Sequence, residues 1–167
     1  MKTVLFVVVF LVGSGLFGGF QVEANAPKVP AFELRSLDGK TYTDQTLIGQ
    51  PTLLMFWASW CHVCQGELPK VQHLREQMKG KPFQIFAIGF ADSEANIRDY
   101  VASHPTHFSF PVLYDTGDRV ASQFGVRSTP TFFLLNKHGE VVVSYRGGGW
   151  LEHPEFQATL NELLNEG

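Results

Sequence analysis

Cysteine is scarce in this chain: only Cys61 and Cys64 occur in 167 residues. That excludes a small fold stapled by several disulfides, because a single close pair constrains the unfolded chain little. No run of like charge is present, and the formal net charge is −3. Nothing therefore suggests a nucleic-acid partner, and the surface reads as ordinary and mixed. There is no internal repeat and no low-complexity segment. Core material is abundant, with 44% hydrophobic residues and 15 Phe, enough for one ordinary domain plus a leader.

The leader begins with Lys2, followed by an uncharged, mostly apolar run from Thr3 to Val22 and then Glu23. One positive residue, an apolar stretch and small residues at its end make a secretory signal pattern. Val22-Glu23-Ala24 and Ala24-Asn25-Ala26 both offer small residues for cleavage. The second would leave Pro27 directly after the cut, so the first is preferred. The run also matches the ~20 residues that span a bilayer, which makes a retained anchor the alternative. Gly13, Gly15, Gly18 and Gly19 weaken it as a helix. Residues 1–24 are thus expected to be a signal peptide or membrane anchor, and 25–167 the domain. Either way the domain is exported to a compartment where disulfides persist.

The cysteines occupy a telling place. Thr52-Leu53-Leu54-Met55-Phe56-Trp57 is a continuous apolar run of strand length. After the pair, Leu68, Val71, Leu74 and Met78 recur at helical spacing among Lys, Arg, Gln and Glu. Cys61 therefore falls where a buried strand runs into a helix. There the unpaired N–H groups and the dipole stabilise a thiolate. Cys64, one turn on, lies on the same face, within reach for a disulfide.

The rest of the chain alternates strands and helices. Ala31–Arg35 and Thr41–Tyr42–Thr43 form a hairpin around Leu37-Asp38-Gly39-Lys40, and one helical turn follows from Asp44 to Ile48. Strands are predicted at 83–90, 110–114, 131–135 and 140–145. Helices are predicted from the Ser93 cap to about Ser103, over 118–124 and over 154–164. Pro69 should bend the cysteine helix, and Gly147-Gly148-Gly149 reads as a flexible break. Such alternation implies an α/β sandwich, and a terminal hairpin makes its sheet mixed.

Phe56-Trp57-Ala58-Ser59-Trp60-Cys61-His62-Val63-Cys64 resembles the thioredoxin active-site stretch, and Ser128-Thr129-Pro130-Thr131 resembles the loop carrying that family's cis-proline. Cys64-Gln65-Gly66-Glu67-Leu68-Pro69, the leader and the Phe32-to-Tyr42 hairpin are similar to the TlpA- and ResA-like branch. That branch comprises exported thiol–disulfide oxidoreductases, some serving cytochrome c maturation. The resemblance covers roughly residues 31–164. It implies a thioredoxin-like three-layer sandwich, a mixed central sheet flanked by helices, with an N-terminal hairpin extension. Two departures stand out. Val63 occupies the usual Pro position, and Met55 replaces thioredoxin's buried Asp.

From this follow the expected roles. Cys61 attacks and Cys64 resolves, with Cys61 the more exposed. His62 as imidazolium would favour the thiolate, unless it is an inconsequential exposed spacer. Glu67 relays protons or tunes the thiols if part-buried, and is an ordinary surface acid otherwise. Trp60 walls the site and Trp57 belongs to the core. The family match makes the Thr129–Pro130 bond cis, presenting Thr129's backbone to an extended substrate segment. Partners are protein thiols and disulfides, plus an unidentified redox donor or acceptor that a membrane could hold. No cofactor is implied. The expected location is extracytoplasmic, in a bacterial periplasm, with the domain soluble or anchored through residues 3–22. The favoured direction is reduction of protein disulfides, with oxidation the alternative.

Competing classes fit less well. A Sco-like copper chaperone has three residues between its cysteines and a distal His. Here two intervene, and none of His73, His104, His107, His138 or His153 has a marking spacing; His104 and His107 read as a solvated loop pair. A peroxiredoxin-type peroxidase has Thr three residues before the reactive Cys, where this chain has Ala58. A catalytically silent domain is disfavoured by the intact cysteine pair.

Overall fold

The structure, a computed structural model, describes residues 26–165. The expected leader and its cleavage site at Ala24 lie outside the described residues.

Seven strands form one sheet in the order β2-β1-β5-β4-β3-β6-β7. They are β1 (Glu33–Ser36), β2 (Thr41–Thr43), β3 (Thr52–Trp57), β4 (Gln84–Gly89), β5 (Val112–Tyr114), β6 (Thr131–Leu135) and β7 (Val141–Arg146). The strands β3, β4 and β5 run parallel, while β6 and β7 on one side and the β1–β2 hairpin on the other are antiparallel. The expected hairpin extension is present and joins the sheet through β5. The expected strand at 110–114 begins only at Val112, because Pro111 brings no N–H to the ladder.

β3 lies at the centre, and all six of its residues are buried. From Leu53 to Trp57 its side chains alternate between two cores, which is why that stretch is apolar without interruption. Leu53, Met55 and Trp57 face α1 (His62–Gln77), α2 (Glu94–Ser103) and α4 (Pro154–Asn165). Leu54 and Phe56 face the hairpin side and α3 (Arg119–Gln123). Helices thus cover the sheet on both faces. α1 buries Leu68, Val71 and Leu74 as its spacing predicts, each such side chain contributing about 1.5–3 kcal/mol. It continues as one helix through Pro69. Ser93 caps α2, accepting the Asn96 N–H. Buried Asp115 accepts the N–H groups of Val120 and Ala121 at the start of α3.

Among the described residues, no helix is long and apolar enough to cross a membrane.

Candidate active site

The parallel strand β3 ends at Trp57, and three residues, Ala58 to Trp60, carry the chain into α1. Cys61 is the N-cap of that helix, and its Sγ accepts the Cys64 N–H at 3.1 Å. One donor that the first turn leaves unpaired is thereby aimed at the sulfur. The same hydrogen bond grows stronger when the acceptor is a thiolate. Cys61 and Cys64 are joined as a disulfide, with Cα atoms 5.2 Å apart. Cys61 is 6% exposed and Cys64 fully buried, so Cys61 is the more exposed of the pair.

A second element reaches the pair from β6. The Thr129–Pro130 peptide bond is cis. Thr129 Oγ1 stands 2.9 Å from Cys64 Sγ and 3.4 Å from the Phe56 carbonyl oxygen. Sequence reasoning assigned Thr129 a backbone role; its hydroxyl, set against the resolving sulfur, was missed.

Glu67 lies one turn beyond Cys64 and is 4% exposed, which rules out an ordinary surface acid. Its Oε1 accepts the Lys70 ammonium at 3.0 Å and the Gly149 N–H at 3.0 Å, while Oε2 is buried without a partner among the described residues. Lys70 also donates to Glu152 at 2.7 Å. Hydrogen bonds to Glu152 first and Glu67 second raise its pKa above the ordinary lysine value. Met55, where thioredoxin has its Asp, is fully buried and apolar. Glu67 instead places a buried carboxylate on the helix, three residues after Cys64.

The expected flexible break at Gly147–Gly149 is instead tied down. Gly147 N–H donates to the Pro130 carbonyl at 2.9 Å, and Gly149 N–H holds Glu67. A Cβ on Gly148 would sit 2.9 Å from Val63 Cγ1 and 3.0 Å from Glu67 Oε1. Here glycine is needed for close approach rather than for mobility. The segment links the active-site turn, the buried glutamate and the proline loop.

His62 is exposed, and its Nδ1 donates to Gln65 Oε1 at 3.3 Å. Trp60, one residue before Cys61, is 57% exposed, and Trp57 is fully buried in the core. His104 and His107 are not a solvated pair. Part-buried, they extend an aromatic stack in which His104 lies on Tyr100 at 4.1 Å and His107 on His104 at 5.3 Å. The apolar faces of their rings gain more from Tyr100 and Phe108 than from water. Among the described residues, no group of three or more His, Cys, Asp or Glu is placed to hold a metal ion.

Three further residues were missed. Asp92 and Gln65 hold the backbone of Ser59, and Lys70 pairs with Glu67. Only Lys70, three residues from Glu67, has a local signal that could have found it.

Comparison with known proteins agrees with this geometry. Residues 26–144 match the model of the AhpC/TSA family. Thiol-disulfide oxidoreductase ResA of Halalkalibacterium halodurans is 32% identical over 117 residues, 70% of this chain and 65% of that protein. ResA of Bacillus thuringiensis is 30% identical over 135 residues, covering 78% and 77%. Among solved structures, the thiol:disulfide interchange protein DsbE from Chlorobium tepidum superposes with a TM-score of 0.76 at 25% identity, over 84% of this chain and 97% of that one. Within the AhpC/TSA family this chain belongs to the thioredoxin-fold, TlpA/ResA-like thiol–disulfide oxidoreductases.

Proposed function

We propose that this protein is an exported enzyme that reduces disulfides in other extracytoplasmic proteins, with Cys61 attacking and Cys64 resolving. The observation that carries the assignment of roles is the Cys64 N–H directed at Cys61 Sγ, together with the full burial of Cys64. In the reduced enzyme, the Cys61 thiolate attacks one sulfur of a substrate disulfide. That bond breaks, the distal substrate sulfur leaves as a thiolate, and a mixed disulfide forms on Cys61. Cys64 then loses its proton and attacks Cys61 Sγ, which releases the second substrate sulfur. Two electrons have moved to the substrate, and Cys61–Cys64 is the disulfide that an external dithiol donor must reduce. Buried Glu67 supplies a carboxylate three residues from Cys64 for proton traffic at this step. Trp60, Thr129 and Pro130 form the surface on which an extended substrate segment lies.

Export is supported by the uncharged run at residues 3–22, as cleaved signal or anchor, with the domain occupying 25–167. The resemblance of Cys64-Gln65-Gly66-Glu67-Leu68-Pro69 to the TlpA/ResA-like branch makes cytochrome c maturation the candidate pathway. The test is trapping. Cys64→Ser should accumulate a mixed disulfide with substrate, and Cys61→Ser should not; the reverse would overturn the assignment of roles. Direction is read from the potential of the couple. A value near that of thioredoxin, about −270 mV, supports reduction, and one near about −120 mV supports oxidation.

A further inference from the structure

We propose that Asp92 is a positioning residue for the attacking cysteine, holding the Ser59–Trp60 turn that presents Cys61 and the Trp60 wall to a protein substrate. The inference rests on the thiol–disulfide reading above.

The turn from Ala58 to Trp60 has no regular secondary structure, and Cys61 N–H to Ala58 C=O is its one internal backbone bond. Trp60 is largely in solvent, so packing does not fix it. What fixes it is the β4–α2 loop. Asp92 Oδ2 accepts both the N–H and the O–H of Ser59, at 2.8 and 2.6 Å. The Ser59 carbonyl is taken by Gln65 Nε2 at 2.8 Å, so every polar group of Ser59 is held by a side chain of another segment. The Trp60 indole N–H donates to the Ala91 carbonyl at 2.9 Å.

The loop is shaped for this. Ala91 has φ 51°, in the left-handed region that disfavours a residue with a Cβ. Its N–H donates to Asp118 Oδ1 at 2.7 Å, and Asp118 is itself left-handed at φ 55°. Ala91 and Asp118 are the non-glycine residues with positive φ among the described residues, and they are bonded to each other. Strain of this kind persists where surrounding structure over-determines it, and it clusters at functional sites.

A plain helix-capping role does not account for Asp92. Ser93 is the N-cap of α2 and already accepts the Asn96 N–H. Asp92 Oδ1 adds the Ser93 N–H and the Asn96 side-chain amide, at 2.8 and 2.9 Å. Its other oxygen reaches across to Ser59. The Asp92 carbonyl accepts the Tyr114 hydroxyl at 2.9 Å, which ties the carrier to β5. Burial by itself would raise the carboxyl pKa. The Ser59 hydroxyl, the Asn96 amide and the N–H groups of Ser59 and Ser93 outweigh that and hold it below the ordinary carboxylate value.

The test compares pre-reduced wild type, Asp92→Ala, Asp92→Asn and Ser59→Ala in single turnover against insulin and against hydroxyethyl disulfide. Asp92→Ala should raise half-saturation by insulin at least fivefold, with the small disulfide changed less than twofold. Asp92→Asn and Ser59→Ala, which each keep part of the bonding, should fall between it and wild type. Because Trp57 and Trp150 are buried, iodide quenching reports Trp60, and it should increase in Asp92→Ala. Equal loss on both disulfides in step with a lowered Tm would reduce Asp92 to a stabilising residue and overturn the proposal. So would wild-type behaviour of Asp92→Asn and Ser59→Ala. If wild type reduced neither disulfide, the enzymatic reading would fall, while the quenching comparison would still decide whether Asp92 holds the turn.

Discussion

Replacing Thr129 with Val removes the one side-chain hydroxyl that the described residues set against Cys64 Sγ. In the disulfide the sulfur carries no proton, so the Thr129 hydroxyl hydrogen points either to Cys64 Sγ or to the Phe56 carbonyl, 2.9 and 3.4 Å away. When Cys64 is a thiol, its S–H can donate to Thr129 Oγ1 while the hydroxyl turns to Phe56. When Cys64 is the attacking thiolate, the hydroxyl turns to the sulfur. A hydrogen bond to a charged group contributes about 1.5–3 kcal/mol, so its loss should raise the Cys64 pKa by about one to two units. One unit lowers the thiolate fraction about tenfold below the pKa. The more basic thiolate regains about threefold through a Brønsted coefficient of about 0.4–0.5. The net expectation is release of substrate slowed about three- to tenfold at pH 7. The assay starts from a mixed disulfide preformed on Cys61 and follows release by rapid quench from pH 6 to 10. The two pH profiles should converge, then cross, once both thiols are ionised. Equal rates at every pH, or faster release by the variant at pH 7, would refute the role of the hydroxyl.

Glu67→Gln keeps the size of the side chain and removes a buried negative charge about one turn from Cys64, so the thiols should ionise at lower pH in an alkylation profile. An unchanged profile would mean that Lys70 already neutralises the charge. His62→Ala should make the couple more reducing at pH 6, where an imidazole carries more charge than at pH 8. Since the ring is exposed, the shift should stay below the roughly 20 mV that 1 kcal/mol would give; an equal shift at both pH values would indicate a backbone effect instead. The depressed pKa of Asp92 contributes stability that is present above its unfolded-state value, near 3.8, and is lost as pH falls through the lower folded value. Urea midpoints should therefore drop below about pH 4 in wild type more steeply than in Asp92→Asn, and parallel curves would remove that contribution.

The strands, the helices and the cysteine pair were legible because their signals are local. β3 shows a continuous apolar run, α1 a three-and-four spacing, and the active-site stretch lies within nine consecutive residues. The supports of the site are not local. Asp92 meets Ser59 across 33 positions, Thr129 meets Cys64 across 65, and Gly149 meets Glu67 across 82. Each contact exists because the sheet order places β4 and β6 on either side of β3, an arrangement periodicity does not encode. The glycine run misled for a related reason. Three glycines read as freedom, but Val63 and Glu67 occupy the space a side chain on Gly148 would need, and Gly147 and Gly149 hold positive φ. For His104 and His107, the aromatic partners that bury them come from a neighbouring helix turn and from Phe108.

The balance of charge around the pair bears on the direction of electron flow. Two groups favour a thiolate: the N–H at the start of α1 and the Thr129 hydroxyl. Two carboxylates oppose one. Asp92 is bound to the residue two before Cys61, and Glu67 is buried three residues after Cys64. Lys70 offsets Glu67 in part but shares itself with Glu152. His62, the group that would tip the balance toward a stable thiolate, is in solvent, where its charge is screened. A strongly oxidising couple needs a strongly stabilised reduced form. Here Glu67 is buried, Asp92 is part-buried and the His62 ring is exposed, so on the proposed mechanism the reduced form gains little stabilisation from charge. That asymmetry argues for reduction of substrate disulfides. It also ranks the levers: neutralising Glu67 should raise the potential, and removing His62 should lower it by less.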